Sequence, residues 1–217
     1  MGILAFPISG LIDAIAAFAP GIGINPAVDP VGFAKAANYV GAANLVGIVS
    51  LVFLMFGFQA LQTFLERSSV DRWAFAGMII SMVGLGLFLP FLGIFAFAAP
   101  VAGKLYLNGQ VQAVSIISEA TGTSNPTALT FGAISVLSSV LGAILFSVAI
   151  WRSMKLPKWS AFAYAISAPL NWIPHYIPAL WLLDGILLFG AGIGITRGTW
   201  NAMNQEHLPD NGNATSN

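Results

Sequence analysis

Pro178-Ala179-Leu180-Trp181-Leu182-Leu183-Asp184-Gly185-Ile186-Leu187-Leu188-Phe189-Gly190-Ala191-Gly192-Ile193-Gly194-Ile195-Thr196-Arg197-Gly198-Thr199-Trp200 is an apolar run broken by one acid and closed by one base. About 20 apolar residues carry an α-helix across the hydrocarbon core of a bilayer, and this run is long enough. A carboxylate in that core is expensive unless protein or water shelters it, so other helices are expected to gather around Asp184. At about 100° per residue, Gly190, Gly194 and Gly198 fall on one ridge of the helix. Gly185 and Gly192 fall on a second, and Asp184, Ala191 and Ile195 lie between the two. Glycine lets a neighbouring backbone approach closely, so this helix is expected to take a close neighbour on each flank.

The rest of the chain is of the same kind. Of 217 residues, 57% are hydrophobic and 7% charged, where a soluble domain carries about 25% charge. So few charges do not cover a water-facing surface, and an all-α polytopic membrane bundle is expected. The formal net charge is zero and the 8 Lys and Arg are scattered. With no basic stripe, nucleic acid is not an expected partner. There is no cysteine, which excludes disulfides, thiolate catalysis and cysteine-ligated metals. His175 and His207 are too few and too far apart for bis-histidine haem ligation. No cofactor and no metal is expected.

Six spans are predicted at about residues 3–22, 38–64, 73–99, 127–151, 159–173 and 178–198, with residues 201–217 a polar, disordered tail. The first is read as a retained span, because no Lys or Arg precedes the apolar run as in a signal peptide. The third is apolar from Trp73 to Gly103, with a kink expected at Pro90 and an end before Lys104. Between Lys104 and Asn125, Val111, Val114 and Ile117 recur at three-residue spacing, as in a short interfacial amphipathic helix. Asn125-Pro126 reads as an N-cap followed by proline at the first helical position.

Orientation follows from the bases. With the N-terminus inside, Arg67, Arg72, Arg152, Lys155, Lys158 and Arg197 are cytoplasmic, and Lys35 and Lys104 are outside. Six of the eight bases on one side satisfy the positive-inside rule, with both termini cytoplasmic, as in a bacterial inner (plasma) membrane protein. Trp73, Trp151, Trp159 and Trp200 then fall at the inner boundary and Trp172 and Trp181 at the outer, as an aromatic belt.

On that topology the polar residues of the spans gather towards the outside. Asp184, Asp13, Asn44, Asn171 and His175 are candidates to line an outward-facing polar cavity, with Lys104 as counter-ion. The bland alternative for Asn44 and Asn171 is interhelical hydrogen bonding, worth about 1 kcal/mol each. No G-x-S-x-G, H-E-x-x-H or P-loop is present, so no catalytic residue is assigned. Asp184-Gly185 matches only the opening of the alcohol phosphatidyltransferase motif. The two aspartates lack the Tyr-Asp and Gly-x-Gly-Asp contexts of presenilin-like proteases.

The stretch Trp151-Arg152-Ser153-Met154-Lys155-Leu156-Pro157-Lys158-Trp159 between two spans, with a glycine-rich last helix ending Arg197-Gly198-Thr199-Trp200, resembles small six-helix bacterial integral membrane proteins of unassigned function. That resemblance implies six helices and nothing catalytic. Size and helix number are also similar to the substrate-binding components of energy-coupling-factor transporters, although the first helix lacks a clear Ala-x-x-x-Ala signature. Two functions are therefore expected. One is an accessory or assembly subunit acting through helix–helix contacts, in a homo-oligomer or larger membrane complex. The other is binding or transport of a small solute or proton through a cavity centred on Asp184.

Overall fold

The computed structural model describes residues 2–66, 68–122, 124–172 and 177–206. Among these the chain is all-α, with no strand. A 3-10 turn at Gly2–Leu4 leads into α1 (Ala5–Ala16), followed by α2 (Pro30–Leu65) and α3 (Asp71–Gly93). A π-helical turn at Ile94–Ala98 joins α3 to α4 (Ala99–Leu107). Then come α5 (Ala113–Thr121), α6 (Pro126–Arg152), α7 (Lys158–Leu170) and α8 (Pro178–Glu206). Four segments are long and apolar enough to cross a membrane: Pro30–Leu65, Asp71–Leu107, Pro126–Arg152 and Pro178–Gln205. Large apolar side chains such as Val83, Leu137, Ile144 and Ile186 stay exposed on them, as lipid-facing positions do.

The helix ends have local causes. Helix α1 stops at Ala16, short of the expected residue 22, because Pro20 follows and Gly21 and Gly23 turn the chain at φ +86° and +93°. That left-handed region favours glycine. Asp29 caps α2 by accepting a hydrogen bond from the Gly32 N–H at 2.8 Å, with Pro30 at the first position. Helix α2 therefore begins earlier than residue 38. Asn125 accepts from the Thr127 and Ala128 N–H groups at 3.0 and 3.2 Å and starts α6 where the sequence predicts.

The third span departs most from expectation. The helix runs through Pro90 without ending, and it passes Lys104 to finish at Leu107, where Asn108 and Gly109 (φ +94°) turn the chain. Its irregularity lies further on, at the π turn before Pro100. Proline lacks an N–H and its ring crowds the carbonyl four residues earlier, here Ala96, and a widened turn makes room for the ring. The side facing Pro100 is cleared by Gly41 of α2, where an added Cβ would meet Pro100 Cγ at 2.5 Å. At the C-terminal end α8 continues to Glu206, so residues 201–206 are helix and not tail.

Two cores result. The main one joins Phe6, Phe58, Phe146, Tyr164, Leu188 and Ile195, among others, from α1, α2, α6, α7 and α8. Phe58 stacks on Phe146 at 5.1 Å between ring centroids and meets Phe6 and Tyr164 edge-on at 5.5 and 6.1 Å. The second is smaller and joins Phe33, Val40 and Ala99 to Val114 and Ile117 of α5. Val114 and Ile117 are thus the buried face of the predicted amphipathic helix, while Val111 lies before it and is exposed. At about 1.5 Å per residue, the 36 residues of α2 reach roughly 54 Å, well beyond a hydrocarbon core of about 30 Å. The excess at its N-terminal end builds this second core with α4 and α5.

Candidate functional site

Asp184 is 1% exposed. Helix α8 brings it inside through its glycines. A Cβ on Gly185 would meet the Ala14 backbone of α1, and one on Gly192 would meet Pro7 and Phe6 of the same helix. On the other flank, Gly194 faces Trp159 and Ser160, and Gly198 faces Pro157 and Leu156. Gly190 differs from the expectation: a Cβ there would meet nothing within 4 Å, so it is not a packing contact. On α1, Gly10 completes the crossing against the Leu188–Phe189 backbone, a feature the reading of α8 alone does not supply.

Asn171 and Ser167 are the side chains that act on the Asp184 carboxylate. Asn171, at the end of α7, donates its side-chain N–H to Asp184 Oδ2 at 2.9 Å. Oδ1 has no hydrogen-bond partner among the described residues. Asp184 lines a void of about 30 Å³ whose polar lining also includes Ser81, Ser139, Tyr164, Ser167 and Asn171. The Ser81 and Ser139 hydroxyls also lack partners among the described residues. They come together because α3 and α6 approach through small residues. Gly84 lies against Ser139, Gly142 lies against Ser81, and Ser135 Oγ donates to the Gly84 carbonyl at 2.5 Å. These serines were not among the predicted site residues. Their signal was present in the sequence, as Gly77, Ser81 and Gly84 and as Ser135, Ser139 and Gly142, both at helical spacing.

Asp13 is 5% exposed and interacts electrostatically with Asp184. Ser50 stands beside it, and the Ser9 and Ser50 hydroxyls are 2.8 Å apart, with Ser50 also donating to the Ser9 carbonyl at 3.1 Å. Asp13 lines neither cavity described here. Asp184 and Ser50 act on Asp13, and Asn171 and Ser167 act on Asp184, with no basic residue among them. Two bare carboxylates so placed are costly in a medium of low dielectric. A proton or a bound cation removes that cost.

Above the void lies a cavity of about 610 Å³. Asn171 and Trp172 line both, so one wall is common to the two. The larger space is mainly aromatic and aliphatic, with Phe33, Phe88, Phe91, Phe95 and Trp181 in its wall and Phe88 edge-on to Trp172 at 4.5 Å. Its polar lining includes Asn44, Glu119 and Asn171. Asn44 is held by donating to the Val40 carbonyl at 2.8 Å. The lining comes from the loop after α1, the start of α2, the end of α3 and α5. The end of α7 and the start of α8 complete it. These segments share one end of a bundle whose helices alternate in direction.

Three expectations are corrected here. The large cavity is not centred on Asp184, which lines the small void beneath it. Lys104, the expected counter-ion, is exposed on α4 and lines neither space. Trp172 and Trp181 line the cavity and Trp181 is 9% exposed, which differs from an outer lipid-facing belt, whereas Trp73, Trp151, Trp159 and Trp200 are exposed. His175 lies outside the described residues.

No known family model, curated protein or solved structure matches this chain.

Proposed function

We propose that this chain is a six-span membrane protein with both termini cytoplasmic, and that its cavity opens outward and binds a small organic solute. The supporting observation is the cavity of about 610 Å³, walled by aromatic residues with Asn44, Glu119 and Asn171 as polar points. Ligand sites of about 300–1,000 Å³ with an apolar wall and a few placed polar groups are the common pattern. The aromatic wall suits an apolar body. Glu119, the acid among the lining residues, suits a neutral or cationic polar group over an anionic one. Two short helices, α1 and α7, complete the six crossings, and the bilayer, bacterial inner or otherwise, is the solvent. Transport would add movement of the solute past Asn171 and Trp172.

The accessory-subunit reading draws on the glycine ridges of α8. Gly185, Gly192, Gly194 and Gly198 receive neighbours from the same chain, so these four offer no ridge to a second chain. Solute binding is therefore preferred.

The chain has no cysteine, which makes the test direct. In an Asn44→Cys variant, an impermeant maleimide added from outside should react. A solute that raises thermal stability of the purified protein should slow that reaction. If Asn44→Cys reacts only from the cytoplasmic side, the outward cavity is wrong. If no stabilising solute protects it, the binding reading is wrong.

A further inference from the structure

We propose that the void between α3, α6, α7 and α8 is a site for one small monovalent cation of sodium size. Three of the residues that line this one space, Asp184, Ser81 and Ser139, each carry a buried side-chain oxygen without a hydrogen-bond partner among the described residues. Unsatisfied buried polar atoms are rare in folded proteins, and several around one void point to an occupant. Tyr164, Ser167 and Asn171 line the same space, which makes the lining rich in hard oxygen donors suited to hard cations.

Size and charge narrow the class. About 30 Å³ exceeds the roughly 10–15 Å³ that one water needs and is far below the space of an organic ligand, so the guest is atom-sized. The acid on the void is Asp184, and its other oxygen is already taken by Asn171. One carboxylate balances one positive charge, whereas a divalent ion would leave a net charge buried. Asp13, coupled to Asp184 from the α1 side, does not line the void. The cation enters from the larger cavity at Asn171 and Trp172, and to that extent the inference rests on the outward opening proposed above. The ion site does not require the organic solute, and its test is independent of it.

The test is the thermal stability of the purified full chain in detergent, titrated with sodium chloride against N-methylglucamine chloride at constant ionic strength. The expected result is a saturable rise in Tm of about 2–4 °C with sodium alone. Ser139→Ala should fold and raise the half-saturating sodium concentration at least about tenfold, a change of about 1.4 kcal/mol. Asp184→Asn should abolish the sodium effect, and Ser139→Ala keeps the site testable if that variant does not fold. Equal stability in the two salts would mean that the void holds only water or a proton, and would overturn the proposal. So would a sodium effect undiminished in Ser139→Ala. Protection of Asn44→Cys by a solute, with no sodium effect, would overturn the ion site and leave the solute reading standing.

Discussion

Gly185 of α8 lies directly on Ala14 of α1: a Cβ added to Gly185 would stand 2.8 Å from the Ala14 Cα. The neighbours of this pair in sequence are the two buried acids, Asp184 and Asp13. The close approach is therefore what brings the carboxyl groups within electrostatic reach of each other. A larger side chain at Gly185 pushes the helices apart and uncouples the acids. Gly185→Leu should lower stability by about 1–3 kcal/mol, as overpacking of a tight contact does. Gly190→Ala, into open space, should change it by less than about 0.5 kcal/mol. Thermal unfolding of both variants in the same detergent checks the contrast, and equal losses would remove the α1–α8 crossing as the organising contact.

Asn171 and Asp184 give a second contrast. Asn171→Leu deletes the donor to Asp184 Oδ2 and leaves Ser167 as the remaining side chain acting on that carboxylate. The expected loss is about 1–3 kcal/mol, the cost of an unsatisfied buried group. Asp184→Asn keeps an oxygen able to accept from Asn171 and removes the acid, so it should destabilise less than Asn171→Leu. Chemical or thermal denaturation of the two variants measures the order. The reverse order would mean that the Asp184 charge itself holds the bundle together.

Orientation has its own test. Val28, 79% exposed in the loop between α1 and α2, and Met154, 87% exposed between α6 and α7, belong to opposite ends of the bundle. In a chain without other cysteines, Val28→Cys should react with an impermeant maleimide on intact cells. Met154→Cys should react only after the membrane is opened. The opposite pattern would place the cavity towards the cytoplasm and invert the charge argument from Arg72, Arg152, Lys155, Lys158 and Arg197.

These contrasts also mark what was legible in the chain. Asn125-Pro126 announced the start of α6 because a cap is a local event, decided by a few residues. Val114 and Ile117 announced α5 because their periodicity is local too. Asp184 was legible as buried, since an acid in an apolar helix has few other places to go. The partnership with Asn171 needs only the short connection between α7 and α8. The helix end expected before Lys104 was not legible, because prolines suggest a stop while the π turn at Ile94–Ala98 lets the helix continue to Leu107. Ser81 and Ser139 do not stand out in the sequence, because a serine in an apolar helix most often serves packing or bonds its own backbone. Only the α3–α6 approach turns them to a shared void. The first helix ends earlier than its sequence suggests, because Ala17, Phe18 and Ala19 suit a helix individually, while the turn at Gly21 and Gly23 follows.

Phe58 is the last contrast, because its ring ties four helices and forms part of the apolar wall of the void. Its ring meets Phe6 of α1, Phe146 of α6 and Tyr164 of α7 while belonging to α2. Between apolar helices in lipid, association rests on packing and not on expulsion of water. A void left there forfeits dispersion contacts that lipid does not restore. Phe58→Ala should therefore cost about 3 kcal/mol or more, in the range of buried aromatic truncations, and Phe58→Leu clearly less. Phe56, on the same helix and 56% exposed, is the control. Phe56→Ala should shift the unfolding midpoint little, because the lost contacts are with lipid or detergent, which refills the space. If both truncations cost the same, packing inside the bundle is not what sets its stability, and the main core loses its place in the fold.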